Sequence, residues 1–180
     1  DEMGVDTVWS AEGWGEDAVT SLTFLAARTK RIKLGAGIMQ ISARAPTMTA
    51  MTARAISNLS GGRFLLGLGV SGPQVVEGLH SVRYNQPLTR LRENVEIIRQ
   101  TFSGAKVAYQ GKHYQIPLDD SEGKSIRVQK PMYPIPIYLA TISPRALEYT
   151  GRVADGWLGA SFSPDYSDAH FEYIRRGAAV

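Results

Sequence analysis

The stretch Leu59-Ser60-Gly61-Gly62-Arg63-Phe64-Leu65-Leu66-Gly67-Leu68-Gly69-Val70-Ser71-Gly72 decides the fold class. Gly61-Gly62 stops a helix. Arg63 to Val70 then runs nearly continuously apolar, as a strand covered on both faces does. A helix end, a buried strand and a glycine-rich turn in immediate succession define one unit of a parallel sheet flanked by helices. Moving outward, the same rhythm predicts strands at Thr7 to Ser10, Ile32 to Met39, Pro136 to Ala140 and Gly156 to Ala160. Helical periodicity fills the gaps. Asp17 to Lys30 places Val19, Leu22, Leu25 and Ala26 on one face; Pro46 to Leu59 does so with Met48, Met51, Ala55, Ile56 and Leu59; Leu88 to Phe102 carries the strongest stripe. Ser143-Pro144 and Ser163-Pro164 each supply an N-cap followed by proline at the first helical position.

The interval 104–134 breaks this rhythm. It holds a hairpin pattern from Val107 to Ile116 and then a Gly/Pro/Lys-rich stretch, which reads as an insertion within a single domain spanning 1–180. Asp1-Glu2-Met3-Gly4 reads as a last helical turn closing on a glycine, and Glu172 to Val180 as a basic amphipathic tail. An internal fragment of a longer protein is the expectation from those two ends.

Composition narrows the function classes. The 180 residues carry a net charge of +3 from 20 Lys+Arg and 17 Asp+Glu, with no basic run, so neither a nucleic-acid footprint nor a membrane-surface patch is expected. No stretch approaches the ~20 apolar residues that span a bilayer. The chain has no cysteine, which removes disulfides, thiolate metal sites and thiol nucleophiles, and fits a reducing cytoplasm. His80 and His170 have no second ligand at metal spacing, and His113 sits in the hairpin as a structural or surface residue, so no metal site is expected.

In a parallel barrel the reactive groups stand at the C-terminal ends of the strands. Glu12 is the carboxylate found at those ends, a candidate for acid/base work or a simple loop cap. Gly67 to Gly72 reads either as a weak anion cradle, lacking both the P-loop lysine and the acidic partner of a dinucleotide fingerprint, or as glycine in a tight barrel turn. Gly35 and Gly37 weaken a strand interior unless a bulge or a close neighbour calls for them, and a flat ligand is one such neighbour.

Six segments in register carry a resemblance. They are Val8 to Glu12, Leu34 to Gln40, Ala45 to Met51, Leu59 to Gly69, Pro136 to Ala140, and Ala154 to Trp157. Together they resemble the bacterial luciferase-like superfamily of flavin and deazaflavin enzymes, most closely its coenzyme F420-dependent members. The resemblance implies a TIM (β/α)8 barrel with an insertion, present here as about the middle half. It also implies a non-prolyl cis peptide at Gly37-Ile38 backing the cofactor ring, and cofactor contacts from Gln40, from Ser71, Gly72 and Pro73, and from Ala140, Thr141 and Ile142. Where some deazaflavin dehydrogenases of this superfamily carry Asp-His, this sequence has Ala11-Glu12. Glu12 thus becomes the substitute acid/base and Trp14 a substrate wall, and a sugar-phosphate dehydrogenase assignment loses its support.

Three functions are consistent with that resemblance: hydride transfer between F420 and a small organic substrate, an FMN-dependent monooxygenase, and a non-catalytic barrel relative. The coincidence of Glu12, Gln40, Thr141 and a glycine bulge at one mouth favours an enzyme. The resemblance further implies a homodimer through helices 17–30 and 46–59. Small residues (Ala18, Ala26, Ala27, Ala50, Ala53, Ala55) favour close approach there, with Met48, Met51 and Ala55 near the centre.

Overall fold

The computed structural model describes residues 4–160 and 162–180. Its parallel sheet runs β1 (Thr7–Ser10), β2 (Lys33–Ala36), β4 (Phe64–Gly69), β7 (Ile137–Ala140), β8 (Gly156–Trp157), with the short β3 (Met39–Gln40) also pairing with β4. Helices α1 (Ala18–Arg28), α2 (Pro46–Leu59), α3 (Pro73–Gly78), α4 (Pro87–Ser103), α5 (Pro144–Val153) and α6 (Asp168–Ala178) intervene or follow. The parallel register, Thr7 opposite Lys33 and Leu66 opposite Ile137, brings every strand's C-terminal end to one rim. The architecture is α/β, an incomplete TIM barrel of the luciferase-like type whose sheet does not close on itself among the described residues. The expected helical turn over Asp1 to Met3 lies outside the described residues, as does Ser161; Gly4 has the positive φ of 70° that a C-cap glycine adopts.

Apolar character dictates which face each element buries. Phe64, Leu66 and Leu68 of β4 are fully buried with Leu34, Ile137 and Leu139 on neighbouring strands, and Leu22, Ile56, Leu91 and Ile98 cover them from the helices. Each such side chain contributes about 1.5–3 kcal/mol by leaving water. The opposite face of the strands is lined by aromatics over glycines. A Cβ on Gly35 would stand 2.2 Å from the Trp9 ring, and one on Gly156 2.2 Å from Tyr138; the two rings meet edge-on at 5.5 Å. The flat group over Gly35 is therefore the protein's own indole, which corrects the expectation of a ligand there. Gly67 and Gly69 are likewise close-approach positions inside β4: a Cβ would reach the Ala36 carbonyl at 1.8 Å and Ile38 Cδ1 at 2.6 Å. Strand crowding accounts for these glycines, and no anion cradle is needed to explain them.

The strand expected over Ile32 to Met39 is interrupted. Gly37-Ile38 is a cis peptide between β2 and β3, at the position where the resemblance implies it. The strand expected to reach Ala160 ends at Trp157, and α3 was not foreseen. At the opposite end of the sheet from this bulge, Arg63 donates to the carbonyls of Ala26, Thr29, Ile32 and Ser60 and to the Thr29 hydroxyl, capping the C-terminus of α1; burial pulls its pKa below the ordinary value.

The insertion is a small antiparallel hairpin, β5 (Tyr109–Gln110) with β6 (Gln115–Ile116), held by one buried carboxylate. Glu93 of α4 is 4% exposed and accepts the backbone N–H groups of Lys112, His113 and Tyr114 at 2.8, 2.8 and 3.0 Å. Burial, more than the nearby Arg90, pulls the His113 imidazole below its ordinary range. His113 is thus part of this structural staple. In α1 and α2, Ala18, Ala26, Ala50 and Ala53 pack inward, while Ala27 and Ala55 face out. Ala50 is 1% exposed and belongs to the core, so an arginine there would unfold the helix packing before it tested any interface.

Candidate active site

Glu12 follows β1, and its loop is zipped to the bulge after β2 by main-chain bonds: Gly37 N–H donates to the Ser10 carbonyl (2.8 Å) and Glu12 N–H to the Ile38 carbonyl (3.1 Å). Side chains complete the link. The Gln40 Nε2 donates to the Glu12 carbonyl at 2.9 Å, and the Gln40 backbone N–H to Glu12 Oε2 at 3.0 Å. A main-chain carbonyl can only accept, so the Gln40 amide has its nitrogen on Glu12 and its Oε1 on the other side. That Oε1 is buried and has no hydrogen-bond partner.

The Glu12 carboxylate also meets Arg44, in the turn before α2: Nη1 donates to Oε2 at 2.8 Å, and Nη2 stands 2.6 Å from Oε1. Oε1 is buried and accepts no aligned hydrogen bond, so its acceptor capacity is only partly used. The carboxylate is therefore held by a guanidinium, an arrangement the strand-end pattern alone did not convey.

Glu12 and Gln40 edge a cavity of about 590 Å3 at the C-terminal rim of the sheet, with Arg44 behind the carboxylate and outside the lining. That volume suits a small-molecule ligand or cofactor. Ile38 and Gln40 of the bulge line it, with Ser71 after β4, Ala140 at the end of β7, and Thr141 and Ile142 directly after it. The structure brings these predicted residues together with Glu12. It does not bring Trp14 there: that side chain is 87% exposed in a turn flanked by the uncrowded Gly13 and Gly15, away from the cavity lining, which corrects its place as a substrate wall. Gly37, Gly72 and Pro73 lie beside the cavity without lining it, Gly37 against Trp9 and Pro73 as the first residue of α3.

Thr141 shows how its loop is fixed. The Thr150 hydroxyl donates to the Ala146 carbonyl, so in the 2.7 Å contact between the two threonines the Thr141 hydroxyl is the donor. Its proton is thus spent on Thr150, which ties the cavity-lining loop to α5. The Thr141 carbonyl in turn accepts the Trp157 indole N–H at 2.9 Å.

The wall sequence reading missed is apolar. Tyr84, Pro87, Leu88 and Leu91 close one side and Leu158 and Ala160 another. Leu88 and Leu91 belong to the apolar stripe of α4, and nothing in that period separates a core position from a cavity position. Among the described residues no three His, Asp or Glu side chains stand where they could hold a metal ion.

An unfinished parallel barrel with a cavity at its strand ends is the scaffold that comparison with known proteins matches to a luciferase-like fold. The chain belongs to the luciferase-like monooxygenase family, which matches residues 1–180. It is 40% identical over 186 residues to the putative coenzyme F420-dependent oxidoreductase Rv3520c of Mycobacterium tuberculosis, covering 99% of this chain and 54% of that protein. It is 34% identical over 181 residues to the 5,10-methylenetetrahydromethanopterin reductase of Archaeoglobus fulgidus, covering 99% and 52%. The structure of the coenzyme F420-dependent tetrahydromethanopterin reductase from Methanopyrus kandleri superposes with a TM-score of 0.83 at 25% identity, over 99% of this chain and 54% of that one. The chain spans about half the length of the curated relatives it matches.

Proposed function

We propose that this chain forms the cofactor-bearing part of an F420-dependent oxidoreductase acting on a small organic substrate. The observation that carries the reading is the cavity edge itself: a bulge at Gly37-Ile38 beside Gln40, whose buried Oε1 lacks a partner, under a roof of apolar side chains. Such a wall suits a flat ring system with one polar edge. Ile38 would back the ring, Gln40 would accept a hydrogen bond from its N–H edge, and Ser71 and the Ala140 to Ile142 loop would flank it. When bound, F420 supplies two-electron hydride chemistry, and the protein supplies placement and proton handling. Glu12 is the proposed proton-exchanging group, acting at Oε1, whose remaining lone pair no protein donor takes up. The relatives named above as F420-dependent support the cofactor. F420 reduction or oxidation in the presence of candidate alcohols, ketones and enones, followed by the loss or gain of its absorbance, tests the activity.

The same reading includes a two-fold dimer. Met48, Met51, Ala55 and Leu59 form an exposed stripe along α2, and Phe24 stands exposed on α1. Their spacing places the α2 residues on one helical face. Met51→Arg is expected to leave the thermal midpoint nearly unchanged, because the side chain is 46% exposed, and to convert the dimer to a monomer in sedimentation velocity runs. A wild-type protein that sediments as a monomer at micromolar concentration rules this interface out.

A further inference from the structure

We infer that Arg44 is a positioning residue of the site, acting through Glu12; the inference rests on the reading in which Glu12 exchanges a proton. The main chain of Glu12 is tied to the bulge at its N–H and its carbonyl, and neither bond constrains the carboxylate. The carboxylate is constrained by two groups: the Gln40 N–H and the Arg44 guanidinium.

The pair is sheltered, its side chains 7% exposed on Glu12 and 20% on Arg44. A planar fork meeting both oxygens of a sheltered carboxylate fixes orientation as well as charge. Removing the guanidinium leaves a nearly buried carboxylate with one N–H donor, and an uncompensated buried charge moves toward water. The Asp17 carboxylate that caps α1 is held below the usual carboxylate range first by the Thr20 N–H, with Arg44 the smallest of the contributions. Through Glu12, Arg44 ties the β1 loop to the turn into α2.

A misplaced catalytic group costs rate without costing affinity. In the holoenzyme, Arg44→Met is expected to lower kcat roughly 10- to 100-fold, with the substrate KM and the F420 dissociation constant held within about threefold. Arg44→Lys, which restores charge without the fork, should recover part of the loss. In a Glu12→Gln background, Arg44→Met should lower kcat no further, because the group it positions is already gone. A readout independent of turnover is amide exchange at the Gln40 N–H, which donates to Glu12 Oε2: exchange should accelerate in Arg44→Met and slow again in Arg44→Lys. If Glu12→Gln slows turnover and Arg44→Met does not, or if the two losses multiply, the positioning role is overturned. If Glu12→Gln turns over normally, the proton-exchange reading itself falls and takes this role with it.

Discussion

Glu12→Gln is expected to turn over about 10²-fold more slowly while binding F420 almost as tightly, since general acid/base catalysis contributes roughly 10²–10⁴-fold. The substitution is nearly isosteric. A glutamine Oε1 can still accept the Gln40 N–H, now made to Oε2 at 3.0 Å, and the Gln40 Nε2 bond goes to the main-chain carbonyl, which the change does not touch. The bulge and its orphaned Gln40 Oε1 therefore stay in place, and with them the proposed contacts to the ring. What is lost is an oxygen able to take up and return a proton. Steady-state kinetics with a fluorescence titration of F420 separates the two quantities. A parallel fall in affinity and rate would mean that the carboxylate serves only to hold the bulge.

The largest effect on stability is expected far from the cavity. Glu93→Ala removes the acceptor of three backbone N–H groups at the hairpin turn and leaves them without partners in a partly buried site. Hydrogen bonds to charged groups and unsatisfied buried donors together set the loss at about 3–4 kcal/mol. Gly111 shows how tightly the loop wraps this group, for a Cβ there would stand 2.7 Å from the carboxylate. Glu93→Gln keeps one acceptor oxygen and should cost less. Urea unfolding of both variants, with the hairpin amides followed by hydrogen exchange, gives the order wild type, Gln, Ala. Equal midpoints for all three would show that the hairpin is held by something else.

The parts of this fold legible in the sequence are those written in period and continuity. β4 is apolar along its whole length because it is buried on both faces, by helices on one and by the barrel interior on the other, and α2 and α4 announce themselves by their stripes. α3 was hidden because six residues opened by Pro73 and ended by Gly78 make too short a period to register. The break between β2 and β3 could be suspected from Gly35 and Gly37, but the reason for Gly35, the Trp9 ring, lies on another strand. Gly67 and Gly69 invited a phosphate reading because a crowded strand and an anion cradle ask for the same missing side chain. Within the site, the candidates gathered at one rim where they end a strand or follow it directly, as Gln40 and Thr141 do, and Trp14 did not because a turn intervenes. Arg44 escaped notice because its partner is 32 residues away in the chain, and Glu93 because a buried acid on α4 shares the helix surface with ordinary solvent-facing charges.

The claim on which the function rests is that the cavity beside Gln40 and the bulge holds the deazaflavin ring, and a titration with F420 and with FMN tests it most directly. The protein should quench and shift the fluorescence of F420 saturably, with a dissociation constant in the micromolar range or tighter and at least about tenfold preference over FMN, a difference of some 1.4 kcal/mol. The Gln40 N–H and the Ile38 and Ser71 amides should gain exchange protection as F420 saturates. Saturable binding of FMN with no response to F420, or F420 binding that leaves those amides unchanged, would contradict the account.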